Sequence, residues 1–334
     1  MHAPTLSRRR WLQTAATAGL APRQGWAQKM PASAPSPRRH ALLVGVSALT
    51  LQPPALWLRG PAHDVQALGA LLPSLGVAPA RTRVLADGLG SRAQAAAPTR
   101  AGLLQALDAL TPELAPGDEV LLYWSGHGVR GTPAAPSAPA GPDGLSTWLL
   151  AQDAARAPAG SPWPLAGALA SAEVGSRIDA WLARGAQVCV VFDTCYAGGS
   201  TRAGGDPAQG LRWRGLRTED LASHASAPLP AHPPAGPTLR DTDCVALLAC
   251  DSLQRTPEWR SPQGPVRGLF SAALCDALAQ SRAGWDHAAL VRATQARHAQ
   301  LAASLKLPRS AWPVPQFSGA LGRPLWLAPA PTPG

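Results

Sequence analysis

Apolar residues fall along this chain in two rhythms that take turns. Short unbroken apolar runs, the pattern of strands buried on both faces, alternate with longer stretches of helical spacing. The runs "HALLVGVSAL" (40–49), "RTRVLAD" (81–87), "DEVLLYWSGHG" (118–128), Val188 to Phe192 and "DCVALLACD" (243–251) are of the first kind. "PAHDVQALGALLPSLG" (61–76) is of the second, with Val65, Leu68, Leu71, Leu72 and Leu75 in phase. Residues 98–114, 173–185, 268–281 and 286–305 read the same way. Thr99 stands where a helix N-cap belongs, and Gly185 where a helix should end. "VPQFSGALGRPLWL" (314–327) reads as an edge strand.

Strand–helix alternation in this order predicts an α/β fold with a parallel sheet covered by helices on both faces. Segments 129–146, 154–167 and 196–242 read as loops, and the last is far longer than an ordinary connection, the mark of a functional or cleavable loop. One domain is expected over residues 39–328. In such a sheet, ligands bind at the carboxyl ends of the strands.

Composition narrows the class. The chain is 46% hydrophobic and 15% charged, with 36 prolines and 32 glycines, a globular composition with long irregular connections. Basic residues outnumber acidic ones 30 to 20, but four of the arginines lie in the first 28 residues. Without them the balance is 26 minus 20, or +6, with no dense basic run, so no nucleic acid partner is expected. The five cysteines form no C-x-x-C pair, which argues against a zinc site; Cys189, Cys244, Cys250 and Cys275 are expected as free buried thiols. No run of eighteen apolar residues exists, so no transmembrane helix is predicted. Residues 1–28, with Arg8, Arg9 and Arg10 ahead of a weakly apolar stretch, resemble a twin-arginine export signal, which predicts a periplasmic or exported protein. Residues 29–38 read as a linker.

Two strand tips carry reactive side chains. "YWSGHG" puts His127 at one and "FDTC" puts Cys195 at the other, with a helix between that can make the two strands neighbours. Imidazole beside thiol is what a cysteine nucleophile needs: an ion pair lowers the thiol pKa, and His⁺ protonates the leaving amine. Gly126 and Gly128 leave the backbone around His127 open, and the N–H groups of Gly128 and Cys195 are candidates for an oxyanion site.

These blocks resemble those of the caspase-like cysteine peptidases, bacterial metacaspases in particular. "YWSGHG" is similar to the family's Y-S-G-H-G block and "DTCYAGG" to its D-x-C-x-[SA]-G block. "ALLVGVSAL", "LRGPAHDVQAL", "LLACDSLQRTPE" and the G-x-F-[ST] helix "GLFSAALCDAL" agree in the same order, over roughly residues 40–325. The resemblance implies a caspase-like three-layer α/β/α sandwich with a mostly parallel, roughly six-stranded central sheet. It implies His127 as general acid/base, Cys195 as nucleophile, and Asp193, Asp64 and Ser125 as substrate-binding residues. Two carboxylates in a closed pocket favour a guanidinium, so the expected substrates are proteins or peptides with Arg or Lys before the cut. Tyr196 and Pro61 depart from the residues usual in the family. Many members use calcium held by clustered aspartates; Asp153 matches one, but "ASAEVGSRID" lacks the usual adjacent pair, and no cofactor is expected.

Loop 196–242 starts beside Cys195 and carries Arg202, Arg212, Arg214 and Arg217, which makes it a candidate for self-cleavage. Two other readings compete: a non-catalytic caspase-like binding scaffold, and another exported cysteine hydrolase on the same kind of sheet. A serine hydrolase is disfavoured because no G-x-S-x-G elbow appears.

Overall fold

The apolar runs lie side by side in a computed structural model that describes residues 36–90, 95–131, 146–195, 211–229, 244–251, 254–261, 264–305 and 308–325. The predicted export signal lies outside these residues, as do Arg202 and Tyr196. Five runs become parallel strands: β1 (Arg39–Gly45), β2 (Thr82–Ala86), β3 (Glu119–Ser125), β7 (Gln187–Asp193) and β8 (Cys244–Leu248). The edge strand β11 (Gln316–Gly319) joins β8 antiparallel, and the order across the sheet is β11-β8-β7-β3-β1-β2. Residues Pro37–Gly334 form one compact unit.

Alternate side chains of the strands feed two cores. Leu42, Val44, Leu122, Trp124 and Val190 pack with Leu103 and Leu107 of α2 (Arg100–Leu110) and Ile178 and Trp181 of α3 (Ser171–Ala183). Ala41, Leu43, Leu121, Tyr123 and Val191 pack with Val65 and Leu68 of α1 (Pro61–Leu71), Phe270 and Leu274 of α4 (Leu269–Ala279), and Leu290 of α5 (His287–Ser304). This is the three-layer α/β/α sandwich expected. Each such side chain taken fully from water contributes about 1.5–3 kcal/mol before conformational entropy is set against it. Thr99 caps α2 by accepting the Gly102 N–H, and Gly185 takes a φ of +80° after α3, both as predicted.

The loop expectations need one correction. Residues Gly128–Gly131 (β4), Ser146–Arg156 (β5) and Leu165–Ala170 (β6) form a three-stranded antiparallel sheet, so parts of 129–146 and 154–167 are strand. The alanines and short polar interruptions in these segments blur the period-two signal, and pairing with neighbours makes up the difference. Glu258–Arg260 (β9) and Val266–Gly268 (β10) make a further antiparallel pair.

Candidate active site

The carboxyl edge of the sheet gathers the candidate residues. Gly45, Ser125 and Asp193 are register partners on adjacent strands β1, β3 and β7, so Ser125 and Asp193 lie side by side. His127 follows β3 and Cys195 follows β7. The chain after β1 runs into α1, whose first turn supplies Asp64. The strand order reverses between β1 and β3, the place where parallel sheets open a crevice.

Asp64, Ser125 and Asp193 are completely buried, and what they face is a side chain of the same protein. Arg214, also fully buried, directs Nη2 at Asp64 Oδ2 (2.7 Å). Its Nη1 donates to Ser125 Oγ (2.9 Å) and to the Asp193 carbonyl (2.7 Å). Asp193 Oδ1 lies 3.0 Å from that same nitrogen, whose two hydrogens are already directed elsewhere, so this contact is one of charge. The guanidinium therefore bridges two carboxylates rather than forking onto one. Burial alone would lower the Arg214 pKa, but the carboxylates of Asp193 and Asp64 outweigh it and hold the group charged. Burial raises the Asp64 pKa, opposed by the charge of Arg214.

Further residues complete the pocket. Ser125 Oγ donates to Asp64 Oδ2 at 2.8 Å, Gly268 N–H donates to Asp64, and Ser271 N–H donates to Asp193 Oδ2 at 3.0 Å. Gly268 and Ser271 escaped the sequence reading as site residues, although both sit in the G-x-F-[ST] block already noted. Gly268 lies against the guanidinium, and only the missing Cβ permits it.

The backbone around Arg214 is pinned by isolated bridges on both sides, with a turn at Gly215, whose φ is +92°. Arg214 N–H donates to the Thr256 carbonyl (2.9 Å), and Glu258 N–H to the Arg212 carbonyl (2.7 Å), with Trp213 bridged antiparallel to Pro257. On the far side Leu216 N–H donates to the Gly128 carbonyl (2.9 Å). Arg212 and Arg217 stay outside the pocket: Arg212 donates to the Ala55 and Trp57 carbonyls, and Arg217 pairs with Asp220. A cleft of about 570 Å³, bounded by Leu211, Arg212, Trp259, Arg260 and Leu301, adjoins the upstream end of the segment.

His127 meets the peptide bond that follows Arg214, and Cys195 is tied to Thr256, the residue that also holds the Arg214 N–H. Gly215 N–H donates to His127 Nδ1 at 3.1 Å, and His127 Nε2–H donates to the Leu56 carbonyl at 2.8 Å. These partners fix a neutral imidazole with its proton on Nε2. Burial lowers the His127 pKa to about 3, and the charges of Arg214, Arg255 and Arg212 push the same way. While the segment is seated it excludes water from His127 and brings cations to it, and both disfavour the imidazolium. Cys195 is fully buried; its Sγ accepts the Thr256 N–H and lies 2.9 Å from Cys250 Sγ. All five cysteines are free and buried.

Asp153, the residue matching a calcium aspartate, accepts the Arg100 N–H at the start of α2 (2.9 Å). Among the described residues no three His, Cys, Asp or Glu side chains converge as a metal site. No helix among them is long and apolar enough to cross a membrane.

Residues 39–202 match the family model described as metacaspase, peptidase C14 domain. Among curated proteins none is significantly similar to the chain. The fold is similar to the crystal structure of protein GSU0716 from Geobacter sulfurreducens, at 17% identity and a TM-score of 0.55, covering 85% of this chain and 94% of the other. It is similar also to the structure of pro-sf-caspase-1, at 16% identity and a TM-score of 0.52, covering 88% and 91%. The matched blocks and the family model agree: residues 39–202 carry a peptidase C14 domain of the metacaspase type, on a sheet similar in fold to that of the caspase structure.

Proposed function

We propose that the protein is a cysteine endopeptidase that uses His127 and Cys195 to cut peptide bonds after arginine or lysine, and that it cuts itself between Arg214 and Gly215. One observation carries the reading. Arg214 fills the pocket between Asp64 and Asp193 while the next amide nitrogen, Gly215 N, sits on His127 Nδ1. A substrate would place its arginine and its leaving nitrogen at the same two points. The cleft beside Leu211 offers room for the residues that precede the arginine.

The chemistry follows from these positions. His127 Nδ1 takes the thiol proton of Cys195, and Sγ attacks the arginine carbonyl carbon. The new S–C bond pushes the carbonyl electrons onto oxygen, where the N–H groups of Gly128 and Cys195 are the proposed donors. The carbonyl re-forms, the C–N bond breaks, and Nδ1 returns the proton to the departing amine. Water then hydrolyses the thioester and restores the thiol. A neutral His127 suits the first step, since a base must arrive without its proton.

The test is a fluorogenic peptide panel with Arg, Lys or Asp before the cut, run on wild type, Cys195→Ala and Asp193→Asn. Turnover on Arg and Lys peptides is expected, none in Cys195→Ala, and a large loss in Asp193→Asn, because the buried guanidinium then keeps only one of its two carboxylate partners, Asp64. Equal turnover on Asp and Arg peptides would overturn the specificity; unchanged activity in Cys195→Ala would overturn the mechanism.

A further inference from the structure

We propose that Arg255 is a catalytic residue of this site, whose guanidinium donates to the carbonyl oxygen of the bond being cut and stabilises the oxyanion formed there. The inference rests on the peptidase reading above and adds a donor to it. Arg255 Nε lies 3.2 Å from the Arg214 carbonyl oxygen, and Nη2 lies 3.0 Å from the Gly215 carbonyl and 3.4 Å from that of Trp213. The nearest of these to the chemistry is the first. Arg214 O is the oxygen that gains charge when Sγ attacks.

The position is built by the backbone. Arg255 and Thr256 are consecutive. Thr256 N–H holds Cys195 Sγ, and the Thr256 carbonyl holds the Arg214 N–H. One dipeptide thus touches the sulfur, the amide of the seated arginine and its carbonyl oxygen. His127 Nδ1 closes the fourth side at Gly215 N. The bridge of Trp213 with Pro257 and the hydrogen bond from Glu258 N–H to the Arg212 carbonyl hold this dipeptide beside the residues that lead into the seated arginine.

A guanidinium suits the task. It keeps its charge at neutral pH even when half buried, so the donor needs no proton from elsewhere. In a site closed to water its field acts on the oxyanion with little screening. The ground-state carbonyl is neutral and the tetrahedral oxygen carries a full charge, so the contact strengthens as the S–C bond forms. That is the condition for an interaction to raise kcat rather than merely lower KM. The contacts to the neighbouring carbonyls, by contrast, are the same before and during reaction and serve to position the peptide.

The experiment measures kcat and KM on an arginyl fluorogenic peptide for wild type, Arg255→Ala and Arg255→Lys, with thermal unfolding as the control for folding. Arg255→Ala is expected to lose roughly 10²–10³-fold in kcat, the range for removal of one oxyanion donor, with KM changed by less than about threefold. Arg255→Lys should recover part of that loss, and added guanidine should partly rescue Arg255→Ala. An arginyl aldehyde, which forms a tetrahedral adduct with the thiol, should lose affinity in Arg255→Ala by the same factor as kcat/KM. If kcat stays within threefold, or if the loss appears in KM alone, Arg255 only positions the peptide and the assignment is wrong. Wild-type turnover tests the peptidase reading itself; the ratio of variant to wild type tests Arg255.

Discussion

A methyl group built at Gly268 would meet Asp193 Oδ2 at 2.0 Å and Arg214 Cζ at 2.8 Å. The pocket therefore has its size set by one absent atom, and Gly268→Ala should raise KM for arginyl peptides at least tenfold while leaving the thiol intact to alkylation. Steady-state kinetics beside a thiol-labelling control would decide it. Arg214 makes the converse case. It is the cation for two buried carboxylates, and removing one partner of a buried pair costs about 3–5 kcal/mol. Arg214→Ala should lower the unfolding midpoint and abolish the fragment ending at residue 214; Arg214→Lys should keep part of both. Intact-mass spectrometry and a thermal scan check the two outcomes. The sequence offers four arginines in this loop on equal terms. Only the fold seats Arg214 in the pocket, with Arg212 at surface carbonyls and Arg217 on Asp220.

Elements carry their own dependencies. The entry to β1 is tied to the turn before β3, where Arg38 Nη2 pairs with Asp118 Oδ2 at 2.6 Å and Arg38 N–H donates to Oδ1. Burial would raise the Asp118 pKa, but Arg38 and the N–H groups of Ala115 and Arg38 outweigh it and hold it at about 2. The folded value lies below the unfolded one of about 3.9, so this stabilisation is complete above pH ~4 and is lost as pH falls through about 2. Wild type should lose more stability than Asp118→Asn between pH 5 and 2, measured by denaturant unfolding (window set by ordinary carboxylate values). An equal slope in both proteins would remove the clamp from the account. The five parallel strands and five helices were legible because their apolar runs and caps are strong local signals. The β4–β5–β6 sheet was not, because its strands owe their pairing to distant neighbours: β5 spans Ser146–Arg156 and meets β6 with a register shift between Leu150 and Ala155.

At the scale of the whole molecule, a cut after Arg214 separates β1 to β7 from β8, α4, α5 and β11. The two halves should stay joined through the β7–β8 ladder, which pairs Val188 with Cys244 through Phe192 with Leu248 inside the sheet. The cleaved protein should therefore run as one species on gel filtration and as two chains under denaturing conditions, and Cys195→Ala should give one chain in both. Two separated species in native buffer would show that the ladder does not suffice. Export is a separate proposal that rests on residues 1–28. A reporter fused behind residues 1–30 should leave the cytoplasm, and changing Arg8 and Arg9 to lysine should hold it back; retention of the unchanged fusion refutes the signal.

The sequence by itself determined the layers and the cast of the site. Apolar periodicity is local, so it spells out strands and helices, and reactive residues at strand tips must then meet at one edge of a parallel sheet. His127, Cys195, Asp64, Ser125 and Asp193 all gather there. Only the tertiary structure decided what those residues face. Long loops carry no periodic signal, and contacts between residues 150 positions apart, as for Asp64 and Arg214, depend on how the loop folds back. That return puts a guanidinium between two carboxylates, makes His127 neutral by taking it out of water, and brings Arg255 to the carbonyl oxygen of its own chain.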